Sequence, residues 1–201
     1  GYRAASVGDL PGLRAALASG TALDPPAPAP GADSEQLTPW LLAGACLGGQ
    51  PRVVEYLIEQ GAELSQSQWP RGSALYEALR PADPHCLMLL LAAGAPVDDF
   101  RSVAGAPLHN PGGASAARNC RLLLEWGGDP NIKEAHGVKP LQYIASSGRL
   151  RCVRLLLAYG ANPNADSYYW NVPLDAAKDY PALESLLQAS GAKARAELAS
   201  L

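Results

Sequence analysis

Leu156-Leu157-Ala158-Tyr159-Gly160-Ala161 is one copy of a pattern, Leu-Leu-Xaa-Xaa-Gly-Ala, that recurs along this chain of 201 residues. The glycines of the successive copies are Gly20, Gly61, Gly94, Gly127, Gly160 and Gly191. Their spacings are 41, 33, 33, 33 and 31 residues. A period in this range indicates that one supersecondary unit is copied, and that no single copy buries its own apolar face. The sequence therefore predicts a stack of similar units.

A second landmark keeps the same phase, 21 residues before the glycine in the regular copies. It reads Ser73-Ala74-Leu75-Tyr76, Ala106-Pro107-Leu108-His109 and Lys139-Pro140-Leu141-Gln142, and shifted versions are Thr38-Pro39-Trp40-Leu41 and Val172-Pro173-Leu174-Asp175. Proline suits the first position of a helix because its missing N–H costs nothing there, and Thr38 and Ser73 are residue types that cap a helix. Each landmark therefore predicts a first helix. The apolar segment before each glycine predicts a second helix, which ends at that glycine in the left-handed conformation.

These landmarks resemble the Thr-Pro-Leu-His signature of ankyrin repeats. Gly127-Gly128-Asp129-Pro130-Asn131 and Gly160-Ala161-Asn162-Pro163-Asn164 likewise resemble the family's Gly-Ala-Asp-Xaa-Asn exit. The resemblance runs from near Tyr2 to Ala192 and implies an all-α fold, an ankyrin-repeat solenoid of stacked helix-turn-helix units with projecting β-turn fingers. We expect a single domain, residues 1–201. Its approximate repeats are 1–24, 38–72, 73–105, 106–138, 139–171 and 172–201, with a proline-rich insertion at 25–37.

Three segments depart from the regular pattern. The first copy, residues 2–24, lacks the upstream landmark, so either the array starts with a truncated cap or this copy lacks its first helix. In the fourth copy, Asn110-Pro111-Gly112-Gly113 should break or shorten the first helix, because proline removes a hydrogen bond and glycine adds entropy to the unfolded chain. The tail, residues 192–201, reads as a polar helix, which suits a terminal cap.

Composition argues against several functional classes. A net charge of −3 gives no basic footprint for general nucleic-acid binding, so no nucleic-acid partner is expected. No apolar run approaches the ~20 residues needed to cross a bilayer and no charged-then-apolar leader is visible, so we expect no membrane insertion and an intracellular location, cytoplasmic or nuclear. Cys46, Cys86, Cys120 and Cys152 lack the close spacing of metal ligands. We interpret them as small buried hydrophobes, with a metal or redox site as the alternative.

Catalytic signatures are missing from the sequence. It contains no Gly-rich phosphate loop, no Gly-Xaa-Ser-Xaa-Gly elbow and no His-Glu-Xaa-Xaa-His, and its three histidines form no recognisable arrangement. We therefore predict no catalytic residue, no metal and no cofactor, and do not expect an enzyme. His109 matches the histidine of the family signature, which implies that it ties adjacent loops by hydrogen bonds.

Aromatic side chains mark the predicted fingers. Trp69 and Tyr168 occupy one repeat position, and Phe100, Tyr169 and Trp170 lie close to it in their own fingers. Exposed aromatic residues are typical of binding hot spots; the alternative is that these rings lie over neighbouring fingers and shield them. Polar residues on the same edge complete the predicted partner-binding set: Arg71, Arg101, Lys133, Glu134, His136 and Asn171.

The opposite surface carries a second pattern. The residues at one equivalent position of four second helices are Arg52, His85, Arg118 and Arg151, and Arg121 and Arg154 follow three residues later in two of them. Stacked helices lie ~8–10 Å apart, so these residues predict a basic stripe that could receive an acidic segment or phosphate. Glu55 and Glu125 interrupt the stripe, and the alternative is an ordinary solvated helix face.

The resemblance implies a non-catalytic scaffold that binds a partner protein or peptide through the finger tips and the concave first-helix face. Two alternatives stay open. Residues 119–124 and 151–155 also resemble helices of ankyrin proteins that carry a SOCS box and recruit ubiquitin ligases, which would make the chain a substrate-recognition subunit. The other alternative is the recognition arm of a larger enzyme.

Replacing Trp69 and Trp170 together by Ala is expected to weaken partner binding and to leave helical content and thermal melting nearly unchanged, because finger-tip rings are not needed to pack the stack. Circular dichroism and a binding assay check both halves of this prediction. A collapse of the fold in this variant would show instead that the two rings are structural.

Overall fold

The computed structural model describes residues 2–20, 41–65, 73–98, 105–167 and 171–200. These residues form helices, turns and loops, and no strand occurs among them. The predicted all-α class is confirmed. The chain divides into two compact units: unit 1 is Gly1–Val103 with Gly113–Ser115, and unit 2 is Ala104–Gly112 with Ala116–Leu201. The single domain and the repeat boundaries expected from the sequence stay predictions.

Unit 1 contains three helix pairs. In chain order the helices are α1 (Tyr2–Val7), α2 (Leu10–Ala18), α3 (Leu41–Leu47), α4 (Pro51–Glu59), α5 (Ala74–Glu77) and α6 (His85–Ala92). Within each pair the two helices contact each other, α3 packs between α1 and α5, and α4 packs against α6. First helices thus stack on first helices and second helices on second helices.

Unit 2 repeats this arrangement. It begins with a 3₁₀ turn (Pro107–His109) and continues with α7 (Ala116–Glu125), α8 (Pro140–Ser146), α9 (Leu150–Ala158), α10 (Pro173–Ala176), α11 (Pro181–Ala189) and α12 (Arg195–Leu198). The first-helix layer places α8 between the 3₁₀ turn and α10, and the second-helix layer places α9 between α7 and α11.

Leucine and alanine fill the cores of both units. The largest fully buried side chains among the described residues are Leu13, Leu42, Leu57, Leu75, Leu79, Leu87 and Leu90 in unit 1, and Leu108, Leu123, Leu141, Ile144 and Leu156 in unit 2. The four cysteines are also buried, as interpreted from the sequence. Each leucine that leaves water contributes about 1.5–3 kcal/mol, so the stacked faces carry most of the stability.

The second helices end as the sequence predicts. All six pattern glycines have φ between 82° and 94°. At Gly160, the glycine N–H donates to Leu157 O at 3.1 Å and the N–H of Ala161 donates to Leu156 O at 2.9 Å. These bonds satisfy the last carbonyls of α9 and turn the chain away from the helix axis.

The predicted helix cap at Ser73 is present. Ser73 Oγ accepts a hydrogen bond from the N–H of Tyr76 at 3.4 Å at the start of α5. Thr38 lies outside the described residues.

The expected break in the fourth copy is present. The first helix there is reduced to the three residues of the 3₁₀ turn, and regular helix resumes only at Ala116. Asn119, which is 1% exposed, donates from Nδ2 to Pro111 O at 2.9 Å and so ties the irregular loop to α7.

A helix is present near each end of the chain, and only the C-terminal one was predicted without an alternative. The first copy does contain a first helix, because α1 packs against both α2 and α3, so the alternative in which that helix is missing is wrong. The predicted polar helix of the tail is present as the four-residue α12.

Gly48 is expected to be indispensable to unit 1. A Cβ atom added there would overlap the carbonyl oxygen of Ser6 in the last turn of α1, and backbone cannot yield as a flexible side chain can. Gly48→Ala should lower the free energy of unfolding by about 1–3 kcal/mol. Gly113→Ala is the matched control, because a Cβ atom added there meets nothing within 4 Å. Chemical denaturation checks both variants, and equal stabilities would contradict this account of the α1–α3 contact.

Candidate functional site

Much of the predicted partner-binding set lies outside the described residues: Trp69, Arg71, Phe100, Arg101, Tyr168, Tyr169 and Trp170. The described members are Lys133, Glu134, His136 and Asn171, all in unit 2. They belong to two successive connections, which we call finger A (residues 129–139, between α7 and α8) and finger B (residues 162–172, between α9 and α10). The geometry of the candidate site therefore rests on these two fingers.

Finger A closes in a tight β-turn. The N–H of Glu134 donates to Val138 O at 3.0 Å, and the N–H of Gly137 donates back to Glu134 O at 2.9 Å. Gly137 has φ of 78°, a conformation that glycine adopts without steric cost. Finger A therefore has a regular turn in which Gly137 occupies the position with positive φ.

The carboxylate of Glu134 clamps this turn. Oε1 accepts from the N–H groups of His136 at 2.8 Å and Val138 at 3.2 Å, and Oε2 lies 3.1 Å from His136 Nδ1. Burial alone would raise the pKa of the Glu134 carboxyl, but the hydrogen bonds from His136 and Val138 outweigh it and lower the pKa below its ordinary value. The Glu134 side chain is only 10% exposed, whereas that of His136 is 66% exposed. Glu134 therefore shapes the finger, and His136 faces outward.

Buried polar side chains tie each finger to the first helix before it. His109, 2% exposed, approaches Val138 O with Nε2 at 3.0 Å, and its ring lies edge-on to Tyr143 at 5.4 Å. One repeat later Gln142, 0% exposed, donates from Nε2 to Asn171 O at 3.0 Å. Each bond spans 29 residues, so Gln142 takes the role that the signature assigns to histidine. The expected loop-tying role of His109 is confirmed.

Two asparagines at equivalent positions join the segments that follow successive second helices, which we call exits. Asn131 Nδ2 donates to Gly160 O at 2.8 Å, and its Oδ1 accepts from the N–H of Asn162 at 2.8 Å. Asn164 makes the same pair of bonds one repeat later, to Gly191 O at 3.0 Å and from the N–H of Lys193 at 2.7 Å. The base of each finger is thus bonded to the end of the following second helix.

Finger B is also held from the C-terminal side. The Arg195 guanidinium lies 2.6 Å from Asp166 Oδ1 and donates to Ser167 O at 3.1 Å. The backbone N–H of Arg195 donates to Asp175 Oδ2 at 3.0 Å. Among the described members of the predicted partner-binding set, Lys133, His136 and Asn171 are exposed.

The basic-stripe residues are all exposed, but their surroundings differ between the units. In unit 1, Arg52 is accompanied on α4 by exposed Glu55 and Glu59, and His85 Nδ1 contacts Asp83 Oδ1. In unit 2 the stripe consists of four arginines: Arg118 and Arg121 on α7, and Arg151 and Arg154 on α9.

Two of the exposed aromatic residues share a repeat position that was not predicted to be functional from the sequence. Trp126 and Tyr159 are 49% and 44% exposed and occupy the same repeat position, directly before the glycines that follow α7 and α9. Repeat phase could have identified them, because their 33-residue separation is the repeat period.

The described residues offer little reactive chemistry. They contain no group of three or more His, Cys, Asp or Glu that could hold a metal ion, and none of their helices is long and apolar enough to cross a membrane. Burial raises the pKa of the Cys86 thiol to about 11 and that of Cys46 well above its ordinary value. Both thiols are therefore protonated at neutral pH, which makes them poor nucleophiles and poor metal ligands.

Comparison with known proteins supports the resemblance. Residues 136–168 match the family model for the ankyrin repeat. Similar curated proteins include Ankyrin repeat and SOCS box protein 11 of Danio rerio, 32% identical over 93 residues, which are 46% of this chain and 31% of that protein. Ankyrin repeat and SOCS box protein 5 of Oryctolagus cuniculus is 30% identical over 99 residues, or 49% of this chain and 30% of that protein. Ankyrin repeat and SOCS box protein 16 of Homo sapiens is 33% identical over 108 residues, or 53% of this chain and 24% of that protein. The aligned region thus spans less than a third of each relative.

The asparagine tie yields a stability prediction. Asn131→Asp keeps the acceptor for the N–H of Asn162 but removes the donor to Gly160 O, so we expect a loss of about 0.5–1.5 kcal/mol in the free energy of unfolding. Asn162→Asp is the matched control. Asn162 Oδ1 accepts from the N–H of Asn164, a bond that an aspartate can also make. One repeat earlier, Asp129 accepts in the same way from the N–H of Asn131.

Both variants add one negative charge near the ends of neighbouring second helices. A difference between them therefore reports the changed contact with Gly160 O, where a donor is replaced by an acceptor that the carbonyl repels. Urea denaturation measures it. If Asn162→Asp is as unstable as Asn131→Asp, the tie is not what stabilises the exit.

Proposed function

Because residues 136–168 match the ankyrin-repeat model, and ankyrin repeats are protein-interaction modules, we propose that this chain is an ankyrin-repeat protein and a non-catalytic scaffold that binds a partner protein or peptide. The proposed contact surface is formed by the finger tips and the concave first-helix face. It includes the finger residues named from the sequence: Trp69, Arg71, Phe100, Arg101, Lys133, Glu134, His136, Tyr168, Tyr169, Trp170 and Asn171. An intracellular location, cytoplasmic or nuclear, and the absence of a nucleic-acid partner are parts of the same proposal.

The observation that carries the proposal is the way in which fingers A and B are fixed while their polar side chains face outward. His109 and Gln142 bond to the finger backbones from buried positions, and Glu134 closes the turn of finger A. A surface that is already ordered loses little conformational entropy when it binds. Lys133 and His136 are then presented in a defined arrangement without being needed for the fold.

Glu134 takes part in this proposal through His136. With its carboxylate mostly covered by the turn, Glu134 contacts His136 Nδ1 and orients the imidazole. The pair favours a partner with hydrogen-bond acceptors at this tip, and Lys133 adds a positive charge to the same finger.

A second candidate function is supported by the relatives. Proteins named for ankyrin repeats and a SOCS box match about half of this chain. On this proposal the repeats select the substrate of a ubiquitin ligase. The sequence of the parent gene after Leu201 tests it: a SOCS box there supports the proposal, and an open reading frame that ends without one contradicts it. The same sequence would reveal any catalytic domain, as the remaining alternative of a larger enzyme requires.

The scaffold proposal predicts that finger A distinguishes true partners from background. Wild type, Lys133→Ala/His136→Ala and a control, Gln60→Ala/Gln188→Ala, are used as baits for quantitative affinity capture from lysate. Gln60 and Gln188 are exposed at the C-terminal ends of α4 and α11 and belong to no finger. A true partner should be recovered equally by wild type and control and at least about fivefold less by the finger variant, since a hot-spot residue contributes more than about 1 kcal/mol.

Direct titration of the recovered partner against the same three proteins confirms the ranking. Circular dichroism establishes that the finger variant is folded. Recovery of every captured protein at the same level by all three baits would count against the fingers as the contact surface.

A further inference from the structure

Two neighbouring second helices of unit 2, α7 and α9, present nearly the same outward side chains one repeat apart. The corresponding pairs are Arg118 and Arg151, Arg121 and Arg154, Leu122 and Leu155, Glu125 and Ala158, and Trp126 and Tyr159. The arginines and the two aromatic residues are exposed, and the leucines are half-buried. We call these ten residues the Arg-aromatic face.

The residues of this face adjoin one another. Positions three or four residues apart lie on the same side of a helix, with Cβ atoms ≈ 5–6 Å apart. Because α7 and α9 pack directly against each other, the two columns lie about 8–10 Å apart. Four guanidinium groups therefore surround a small field, with Trp126 and Tyr159 at its C-terminal end and the leucines between.

The neighbouring repeat shows that the fold of unit 2 does not require these residues. On α11 the same five positions hold small or uncharged residues: Ala182, Ser185, Leu186, Ala189 and Ser190. In unit 1 the corresponding positions of α6 hold His85, Met88, Leu89, Ala92 and Ala93. Only the half-buried leucine is common to all four helices, as expected of the position that packs.

The arginines are also not placed to stabilise their own helices. Arg118 and Arg151 lie in the first turns of α7 and α9, where the helix dipole disfavours a positive charge, and neither first turn contains an acidic residue. Among the described residues, no ion pair joins Arg121, Arg151 or Arg154 to a carboxylate. The Arg-aromatic face contains four arginines and one glutamate, whereas the whole chain has a net charge of −3.

We propose that the Arg-aromatic face is a second docking surface, for an acidic segment of a partner protein. Carboxylates of the segment pair with Arg118, Arg121, Arg151 and Arg154, and a large apolar side chain packs on Trp126 and Tyr159. Arginine and aromatic residues are the types enriched in protein interfaces, and arginine binds carboxylates through two parallel hydrogen bonds. This inference goes beyond the proposed function, because it concerns a different surface and a defined chemistry of partner.

The composition of the face favours a protein segment over a nucleic acid. Binding along a nucleic-acid backbone typically uses about 6–10 phosphate contacts, and four arginines interrupted by Glu125 provide fewer. The negative net charge of the chain also repels a long polyanion. An apolar contact next to the charges suits a protein side chain better than a phosphate.

The test uses the whole chain and a fluorescein-labelled synthetic peptide rich in Glu, Leu and Trp, measured by fluorescence anisotropy. Arg121→Ser/Arg154→Ser places in α7 and α9 the residue that α11 already has at this position, Ser185. It should weaken binding of the peptide at least about tenfold, which corresponds to about 1.4 kcal/mol. Trp126→Ala/Tyr159→Ala, which introduces the residue found at Ala93 of α6, should weaken binding about fivefold or more.

Arg3→Ser/Lys193→Ser is the charge-matched control, because it removes two exposed cations from other parts of the chain. It should bind like wild type apart from a small loss of long-range attraction. The same peptide with every Glu replaced by Gln should bind at least tenfold more weakly than the acidic one, a factor that again corresponds to about 1.4 kcal/mol. Thermal melting establishes that all variants are folded.

Three outcomes would overturn the proposal. The first is no binding of the acidic peptide by wild type, and the second is an equal loss in the Arg3/Lys193 control. The third is tighter binding of single-stranded DNA or of phosphatidylserine vesicles than of the peptide, which would assign the face to a nucleic acid or a lipid surface. Because Lys133 and His136 are unchanged in every variant, failure here leaves the proposed role of the fingers untouched.

Discussion

A repeat of this chain cannot bury its apolar side alone, and the rest of the structure depends on that constraint. Helix α9 illustrates it: Val153 and Leu156 are 0% exposed, and the helices that cover α9 are α8 of its own repeat and α7 and α11 of the neighbouring ones. Helices of nine or ten residues are marginal in water by themselves. Stability therefore comes from the contacts between copies, as in other arrays in which each repeat touches only its neighbours.

Hydrophobic stacking is tolerant of small shifts, so the polar ties between repeats have a different role. Bonds from His109 to Val138 O and from Gln142 to Asn171 O each join a first helix to the following finger. Asn131 and Asn164 join the finger base to the end of the next second helix. An unpaired buried polar group costs about 1–3 kcal/mol, so these bonds penalise any register in which they are not made. They convert a stack of similar helices into one arrangement with fixed fingers.

The sequence predicted the features that repeat. The role of His109 was implied by the resemblance to the family signature. The helix ends follow from backbone chemistry, since glycine at positive φ and proline at a helix start have few alternatives. The break after His109 was predictable for the same reason. What escaped prediction was the behaviour of side chains whose surroundings come from another repeat. A glutamate in a finger is expected to be exposed, yet the carboxylate of Glu134 is covered by the turn that it closes. Gln142 departs from the signature but reaches the same backbone position as histidine, which its residue type alone does not indicate.

For Trp126 and Tyr159 the shared repeat position was visible in the sequence. Their exposure on the second helices was not predicted from it. Positions that pack hold mainly leucine and alanine, with some valine, isoleucine and cysteine, while positions that face water are restricted by little in the fold. On the outer side of the second helices the chain has Ala and Ser in α11 but two arginines and an aromatic residue in both α7 and α9. Exposed aromatic side chains at positions where small ones suffice promote non-specific association, so their recurrence in α7 and α9 points to a use. Comparing the equivalent outward positions of a repeat protein therefore separates residues that bind a partner from residues that the fold requires.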